Sequence, residues 1–381
     1  MRSGRLQGRA VLAAASIGAM VALAGCTSSL GDSAIPNPYG TGSGGGAVAS
    51  ADVEQYSLGG AEPTRGSGTV DVVVPTARPL SDSLVKAVKA ATGYSVAQQQ
   101  IDLEQLDSVA KPSGVDLVVG FDGYMGKVLA DSSRIVADKP AGAVEPEGTA
   151  VPEAPGAVAF ARDDVCAMAD AQWFAANKAA MPATLDDLSR PEFAKRLWMA
   201  DPVESSSGRT FVQATGSAWG DQAGAKWAAI VLGGATIGKA SEAAAVDTIL
   251  HDHSLVIASR ANAAATMKAG DSENASWQGP VLTPIEDTCI QRPLYAAVAQ
   301  DADNADGATA VVNYLQSGAG QHDIADAGTG YAVPLAPGAA DGTLMGQFIT
   351  PLDQQKAIAL PAESVAKVPA YLDAWKAATK R

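Results

Sequence analysis

The sequence predicts an α/β protein built on doubly wound sheets. Residues 70–74 form a Val-rich run typical of a buried strand, and a loop and a helical pattern over 80–92 follow, closed by Gly93. A second unit repeats this order, with a strand over 115–119, a loop over 120–123 and a helix over 124–130. Two such units in succession favour a parallel sheet whose ligand lies at the carboxyl ends of the strands. The loops over 75–79 and 120–123 are therefore expected to face a ligand.

The rest of the chain continues the alternation of strands and helices. The patterns predict an extended stretch over 157–169, a helix over 186–198, a strand over 198–202, a helix from about residue 210, helices over 215–232 and 240–250, strands over 255–258 and 291–299, and helices over 308–316 and 364–380. With 381 residues, 47% of them apolar, the chain is long enough to bury a sizeable core.

Charge and cysteine content exclude several classes of protein. The chain carries 27 basic and 41 acidic side chains, a net charge of -14, which argues against nucleic acid as a partner. Three cysteines without a C-x-x-C motif exclude a disulfide-scaffold miniprotein and a zinc ribbon.

The N-terminal segment has the layout of an export signal. Arg2, Arg5 and Arg9 precede an apolar run over 10–23. The run ends in Leu-Ala-Gly-Cys at 23–26, which resembles the lipobox of bacterial lipoproteins and implies cleavage after residue 25 and a lipid on Cys26. An uncleaved anchor, or an ordinary signal with a chance cysteine, is the alternative. The Ser-, Gly-, Ala- and Pro-rich stretch over 26–68 predicts a flexible tether.

The exported context changes how the other two cysteines are interpreted. Outside the cell, Cys166 and Cys289 are expected to oxidise to one disulfide that closes a long loop. Two buried free thiols are the alternative.

The order of lipobox, tether, Val-rich strand and the segment over 115–120 resembles extracytoplasmic solute-binding lipoproteins of ABC importers. The chain is most similar to the thiamine-binding branch, through the stretches over 182–188, 201–208 and 371–376 and the paired cysteines. The resemblance implies a two-lobed, periplasmic-binding-protein type II-like fold with a two-strand hinge that the disulfide stiffens. It places lobe one at 69–160 and 293–381 and lobe two at 161–292. The implied partners are a small-molecule ligand and the permease subunits of the importer, with the protein a monomer.

The same resemblance places four arginines, Arg78, Arg209, Arg260 and Arg292, at strand ends or loops that line the cleft. Guanidinium groups bind carboxylate or phosphate in a bidentate way, so they favour an anionic ligand. The alternative is that each arginine forms an ion pair in a chain with 41 acids. The aromatic residues that stack on thiamine in that branch are largely replaced here, over 239–243, 258–262 and 328–332. The expected ligand is therefore thiamine-like or a small anion.

Further ligand-binding candidates come from helix starts and aromatic positions. Ser206 and Ser207 lie where a helix start offers N–H groups and hydroxyls to an anion, although a serine N-cap explains them equally well. Asp122 and Tyr124 belong to the second predicted loop and its helix, and Tyr295 and Tyr331 are further cleft candidates. An aromatic residue in such a domain can instead belong to the core.

Other chemistries lack a necessary residue. The stretch over 233–240 is similar to a phosphate-binding loop, but Ala240 stands where Ser or Thr must hold magnesium. His251 and His253 could bind a metal, but a third ligand is not evident. The sequence has no nucleophile motif whose serine His322 could activate. We therefore expect no catalysis, no cofactor and no metal. The remaining alternative is a surface lipoprotein with the same fold that acts as a sensor or adhesion component without uptake.

Overall fold

The structure is a computed structural model of the chain. It describes residues 53–76, 78–101, 114–239, 253–261, 282–326, 333–341, 343 and 356–380. The predicted signal peptide, the lipidation site Cys26, the helix over 240–250 and Tyr331 lie outside these residues. No helix in the described part is both long and apolar enough to span a bilayer.

Eleven strands in the described residues form two mixed sheets. The strands are β1 Gly68–Pro75, β2 Tyr94–Ile101, β3 Leu117–Phe121, β4 Val158–Arg162, β5 Val165–Asp170, β6 Leu197–Ala200, β7 Thr236–Gly238, β8 Leu255–Ser259, β9 Leu282–Pro284, β10 Pro293–Val298 and β11 Val333–Pro334. The first sheet has the order β11-β4-β10-β3-β1-β2 and the second has the order β7-β6-β8-β5-β9.

Both sheets combine parallel and antiparallel pairs. In the first sheet, β1 is parallel to β2 and β3, whereas β10 is antiparallel to β3 and β4. In the second sheet, β6 is parallel to β7 and β8, whereas β5 is antiparallel to β8 and β9. The predicted α/β class with two lobes is confirmed, and the strands that return from one lobe to the other account for the antiparallel pairs.

Helices cover the sheets. They are α1 Asp82–Thr92, α2 Gly123–Asp131, α3 Ala171–Ala176, α4 Pro191–Ala194, α5 Ser206–Trp219, α6 Ala223–Leu232, α7 Ala305–Gln316, α8 Gly318–Asp326 and α9 Ser364–Thr379. Side chains alternate across each strand, so Val72 packs into one core cluster of the first sheet and Val73 into the cluster on its other face. On the second sheet, Met199 and Trp198 likewise pack into core clusters on opposite faces. Both sheets are therefore buried on two faces.

Three backbone segments lie side by side between the two sheets. The segment from β4 to β5 pairs with the segment before β10, where Asp163 N donates to Arg292 O (3.0 Å) and Ile290 N donates to Val165 O (2.7 Å). Ile358 adds a third segment, since its N–H donates to Cys289 O (2.7 Å) and its carbonyl accepts from Gln291 N (2.8 Å). A third backbone segment thus lies beside the predicted two-strand hinge.

The last helix, α9, contacts α5 and α6, which cover the second sheet, and also reaches α2. Trp375 is fully buried with its ring centroid 5.9 Å from that of Trp227. The approach to α5 is close, because a Cβ on Gly216 would lie 2.7 Å from Cδ1 of Tyr371. The predicted division assigned residues 293–381 to lobe one, whereas this helix packs largely on lobe two. The other lobe boundaries remain predictions.

Residues 53–67, named here the N-terminal strap, bind to lobe one. Leu58 N donates to Gln316 O (3.0 Å) and Gly66 N to Thr92 O (2.8 Å). Arg65 Nη1 donates to the carbonyls of Ala91 (2.9 Å) and Ala90 (3.1 Å) at the end of α1. The prediction of a flexible tether over 26–68 is therefore wrong for its last part, because carbonyls left unpaired at helix ends find donors there.

Three helix predictions also need correction. The helix predicted over 186–198 is a 3-10 turn at Asp186–Ser189, the short α4 and strand β6. Arg190 is extended (φ -77°, ψ 137°) because a residue before proline avoids the helical region. Helix α5 begins at Ser206 rather than near 210, and the helix predicted over 215–232 breaks at Gly220, which has φ 53°. Strand β2 was not predicted.

Candidate ligand-binding site

A pocket lies where the two lobes meet, next to the hinge. It holds about 520 Å³ of space, including the part open to solvent. Its walls come from both lobes and from the crossing segments. They include Asp122, Gly123, Tyr124, Val151, Thr210, Gln213, Gln291, Arg292, Tyr295, Leu360, Pro361 and Val365. The start of α2, which follows β3, therefore faces the first turns of α5, which follows β6, as expected for a site at the carboxyl ends of strands.

Asp122 caps α2 and contacts Arg209 of α5 beside the pocket. Its Oδ1 accepts a hydrogen bond from Met125 N (2.9 Å), and its Oδ2 lies 3.7 Å from Nη2 of Arg209 on α5. The Arg209 guanidinium also lies over the ring of Tyr124, 5.0 Å from its centroid. Three predicted site residues therefore meet, two from lobe one and one from lobe two.

Asp163 lies between two of the predicted arginines. Its Oδ2 accepts from Arg78 Nε (3.0 Å) and from Arg292 Nη2 (2.5 Å). Its Oδ1 accepts from the hydroxyl of Ser259 at the end of β8. Lobe one, the hinge and lobe two all contribute to this cluster, which is buried from solvent.

The cluster keeps Asp163 ionised. Burial by itself raises the pKa of this carboxyl, but the charges of Arg292 and Arg78, together with hydrogen bonds from Ser259 and Arg292, lower it below its ordinary value. Arg78 and Arg292 thus form the ion pairs that the sequence left open as the alternative to ligand binding.

Ser206 and Ser207 lie in the first turn of α5 and contact Arg292. Arg292 Nη1 donates to the Ser207 hydroxyl (3.0 Å) and to the Ser206 hydroxyl (3.2 Å). The N-cap is instead Ser205, whose hydroxyl accepts from Gly208 N. The two predicted serines therefore orient an arginine that lines the pocket, and their contact with a ligand remains a prediction.

Arg260 lies at the disulfide instead of the pocket lining. The Cys166–Cys289 disulfide is confirmed and joins two crossing segments. Arg260 forms a bidentate ion pair with Glu286 (3.0 and 2.8 Å), and its Nη2 lies 3.0 Å from the sulfur of Cys289. Its guanidinium thus packs against the disulfide, and its predicted contact with a ligand remains a prediction.

Several pocket residues carried no sequence signal. Asp163 is one acid among 41, and Gln213 and Gln291 have no motif. Tyr295 was only an aromatic cleft candidate; its hydroxyl donates to Thr149 O (2.7 Å), and burial, with the charges of Asp122 and Glu145, raises its pKa above the ordinary value. The described residues contain no group of three or more His, Cys, Asp or Glu side chains placed to hold a metal.

Solved structures with the same fold are binding proteins. A periplasmic thiamin-binding protein has a TM-score of 0.63 and 18% identity over 84% of this chain and 99% of its own. The binding protein AfuA from Actinobacillus pleuropneumoniae, with exogenous fructose-6-phosphate bound, gives 0.62 and 13% over 83% and 99%. Iron-bound HitA from Pseudomonas aeruginosa gives 0.61 and 15% over 81% and 99%. At these identities the likeness shows the fold.

Family membership comes from the sequence. The curated proteins contain no match to this chain. A family model for bacterial extracellular solute-binding proteins matches residues 141–358, which is more than half of the chain and includes the disulfide and every strand of the second sheet. That family consists of binding proteins and not of enzymes. The chain belongs to the bacterial extracellular solute-binding protein family, as a solute-binding protein of the ABC-import type.

Proposed function

We propose that this protein captures a small anionic solute in the pocket between its lobes and delivers it to an ABC importer. The arginines at the site support the anion. The charged side chains among the described residues that line the pocket are Asp122 and Arg292. Arg209 contacts Asp122, and Arg78 and Arg292 contact Asp163. The adjacent Arg162–Asp164 pair is neutral. Three guanidinium groups thus lie at or near the pocket, in a chain whose net charge is -14.

The rest of the pocket suits a small polar solute. Thr210, Gln213 and Gln291 offer neutral hydrogen-bonding groups, and Val151 and Leu360 give apolar contact area. This mixture of apolar walls with few polar groups is typical of small-molecule sites. A solute held by both walls stabilises the closed arrangement, which the permease subunits can then recognise.

A cationic thiamine-like ligand fits the site less well. The ring of Tyr124, which could stack on such a ligand, already faces the Arg209 guanidinium. A second cation at that ring would be repelled by Arg209. The neighbouring structures include proteins described as binding thiamin, iron and fructose-6-phosphate, and the arginines at this pocket favour a solute of the phosphate type.

Thermal unfolding of the protein with a panel of probes tests the charge of the solute. The panel contains inorganic phosphate, sulfate, fructose-6-phosphate, methylphosphonate, thiamine, thiamine monophosphate and spermidine. A ligand at about a hundred times its dissociation constant adds about 2.7 kcal/mol to the free energy of unfolding. We expect anions to stabilise the protein and thiamine and spermidine to leave it unchanged.

Lys226→Gln serves as a control in this screen, because it removes a cation of lobe two that binds Asp186 away from the pocket. This variant should keep the ligand response. Stabilisation by thiamine or spermidine alone would contradict the anionic assignment. If no probe stabilises the protein and cells lacking it take up the panel normally, the sensor or adhesion alternative replaces uptake.

Membrane anchoring through Cys26 is the second part of the proposal. The lipobox-like Leu-Ala-Gly-Cys over 23–26 supports it. Labelling of growing cells with a radioactive fatty acid should mark the wild-type protein and not Cys26→Ala, and the variant should appear in the soluble extracytoplasmic fraction. Equal labelling of both proteins would contradict the anchor.

A further inference from the structure

The ion pair between Asp122 and Arg209 connects the two lobes directly. Asp122 begins α2 beside the first sheet, and Arg209 lies in α5 beside the second. Both side chains are largely buried, 9% and 4% exposed, and the nearest charged atoms lie 3.7 Å apart. A charge pair so shielded from solvent attracts more strongly than an exposed pair at the same distance.

Asp122 is the side chain of this ion pair that a solute in the pocket would contact. It lines the pocket together with Tyr124, whose ring is covered by the same guanidinium. An anion that approaches Arg209 through the pocket therefore meets the Asp122 carboxylate, which carries the same sign of charge and binds the same group. Only one of the two anions can lie at the guanidinium without mutual repulsion.

We propose that Asp122 competes with the anionic group of the solute for Arg209 and, while no solute is bound, holds the two lobes together. Asp122 is then a specificity-determining residue, because only a solute whose anionic group replaces the carboxylate can bind tightly. The competition rests on the proposed anionic solute, whereas the lobe-holding contact does not.

The lobe-holding contact can be tested on the full chain without any ligand. Asp122→Asn removes the charge but keeps a side-chain oxygen that caps α2, and Asp122→Ser serves as a second capping variant. Asp131→Asn is the matched control, since Asp131 ends the same helix and pairs with Lys127 at the surface. Arg209→Gln removes the other partner.

Small-angle X-ray scattering of these variants measures lobe separation. We expect the radius of gyration of Asp122→Asn and Arg209→Gln to exceed that of wild type and of Asp131→Asn by about 1 Å on a body of roughly 20 Å. Circular dichroism checks that each variant is folded, and Asp122→Ser replaces Asp122→Asn if that variant is not. Equal radii for all folded variants would overturn the lobe-holding role.

Calorimetric titration with fructose-6-phosphate, inorganic phosphate and thiamine monophosphate tests the competition. For the probe that binds wild type, Asp122→Asn should bind about tenfold more tightly and Arg209→Gln at least about tenfold more weakly. Equal affinity of wild type and Asp122→Asn would overturn the competition and leave the proposed function standing. If neither protein binds any probe, the anionic solute and the competition both fail, and scattering alone decides the lobe-holding contact.

Discussion

At the scale of a single residue, Asp163 is the common counter-ion of two arginines at the hinge. It lies in the short segment between β4 and β5 and accepts hydrogen bonds from Arg78, Arg292 and Ser259. The cost of burying one carboxylate is offset because two guanidinium groups share it. Arg292 in turn is placed to reach the pocket, so Asp163 positions a residue of the binding site.

Replacing Asp163 by Asn should destabilise the protein strongly, because both arginines lose their common counter-ion in a buried place. We expect the free energy of unfolding in urea to fall by about 3–5 kcal/mol. The control Asp373→Asn removes an exposed carboxylate and should stay within about 0.5 kcal/mol of wild type. Equal stability of Asp163→Asn and the control would show that the cluster contributes nothing to folding.

The lowered pKa of Asp163 predicts the direction of acid sensitivity. A carboxyl with a folded pKa below its unfolded value, about 3.9, stabilises the fold above that value and loses the contribution as pH falls through the folded pKa. The stability difference between wild type and Asp163→Asn should therefore stay constant at neutral pH and shrink only below about pH 4. Urea titrations at several pH values measure it, and a difference that grows with acid would contradict the assignment.

At the scale of elements, the N-terminal strap belongs to the folded body. Its N–H groups and the Arg65 side chain bind carbonyls at the ends of α1 and α7. A protein that starts at residue 68 should be less stable than one that starts at residue 53 by about 2–4 kcal/mol, with about 1 kcal/mol for each lost hydrogen bond. Thermal unfolding of the two proteins measures the difference.

A single substitution separates the stabilisation due to the Arg65 charge from that due to the strap's backbone hydrogen bonds. Arg65→Ala keeps the backbone hydrogen bonds and removes a cation at the carboxyl end of α1, which should cost about 0.5–1 kcal/mol. Identical unfolding temperatures for the long, short and substituted proteins would mean that the strap is not held in solution.

The sequence predicted elements well where burial imposes a regular pattern. Strand β1 and helices α1, α7 and α9 follow from apolar spacing, and Pro75 and Gly93 mark the ends of β1 and α1. Strand β2 was missed because it is an edge strand with three consecutive glutamines, Gln98–Gln100, which interrupt its apolar alternation. The start of α5 was misplaced because several serines compete for the N-cap, and only the structure shows Ser205 in that role.

The candidate site was less predictable than the fold. Asp122, Tyr124 and Arg209 meet as the strand-end argument suggests. Arg78, Arg260 and Arg292 bind acids that are distant in sequence, and no local pattern identifies Asp163 or Glu286 as their partners. Ion pairing between remote segments depends on tertiary packing. A short stretch of sequence therefore does not identify the partner of a charged residue.

At the scale of the whole molecule, the disulfide fixes the crossing segments. Cys166 and Cys289 are 123 positions apart, and both are buried beside Arg260. Closing a loop of that length stabilises the fold by about 5 kcal/mol in the chain-entropy model, less any strain. The double variant Cys166→Ala, Cys289→Ala should therefore lose about 2–5 kcal/mol in urea unfolding.

Reduction of the wild type gives an independent check of the disulfide. Unfolding in the presence of a strong reductant should approach the stability of the double alanine variant, and the variant itself should not respond. A reductant effect of equal size on both proteins would show that the stabilisation does not come from this bond.

The first and last described segments of the chain contact different lobes. The N-terminal strap begins at Val53 against α8 on lobe one, whereas α9 packs on α5 and α6 of lobe two. Two fluorescent proteins, one fused ahead of the strap and one behind α9, would therefore sit on opposite sides of the cleft. Energy transfer between them would report solute capture in a living cell without any insertion into the fold.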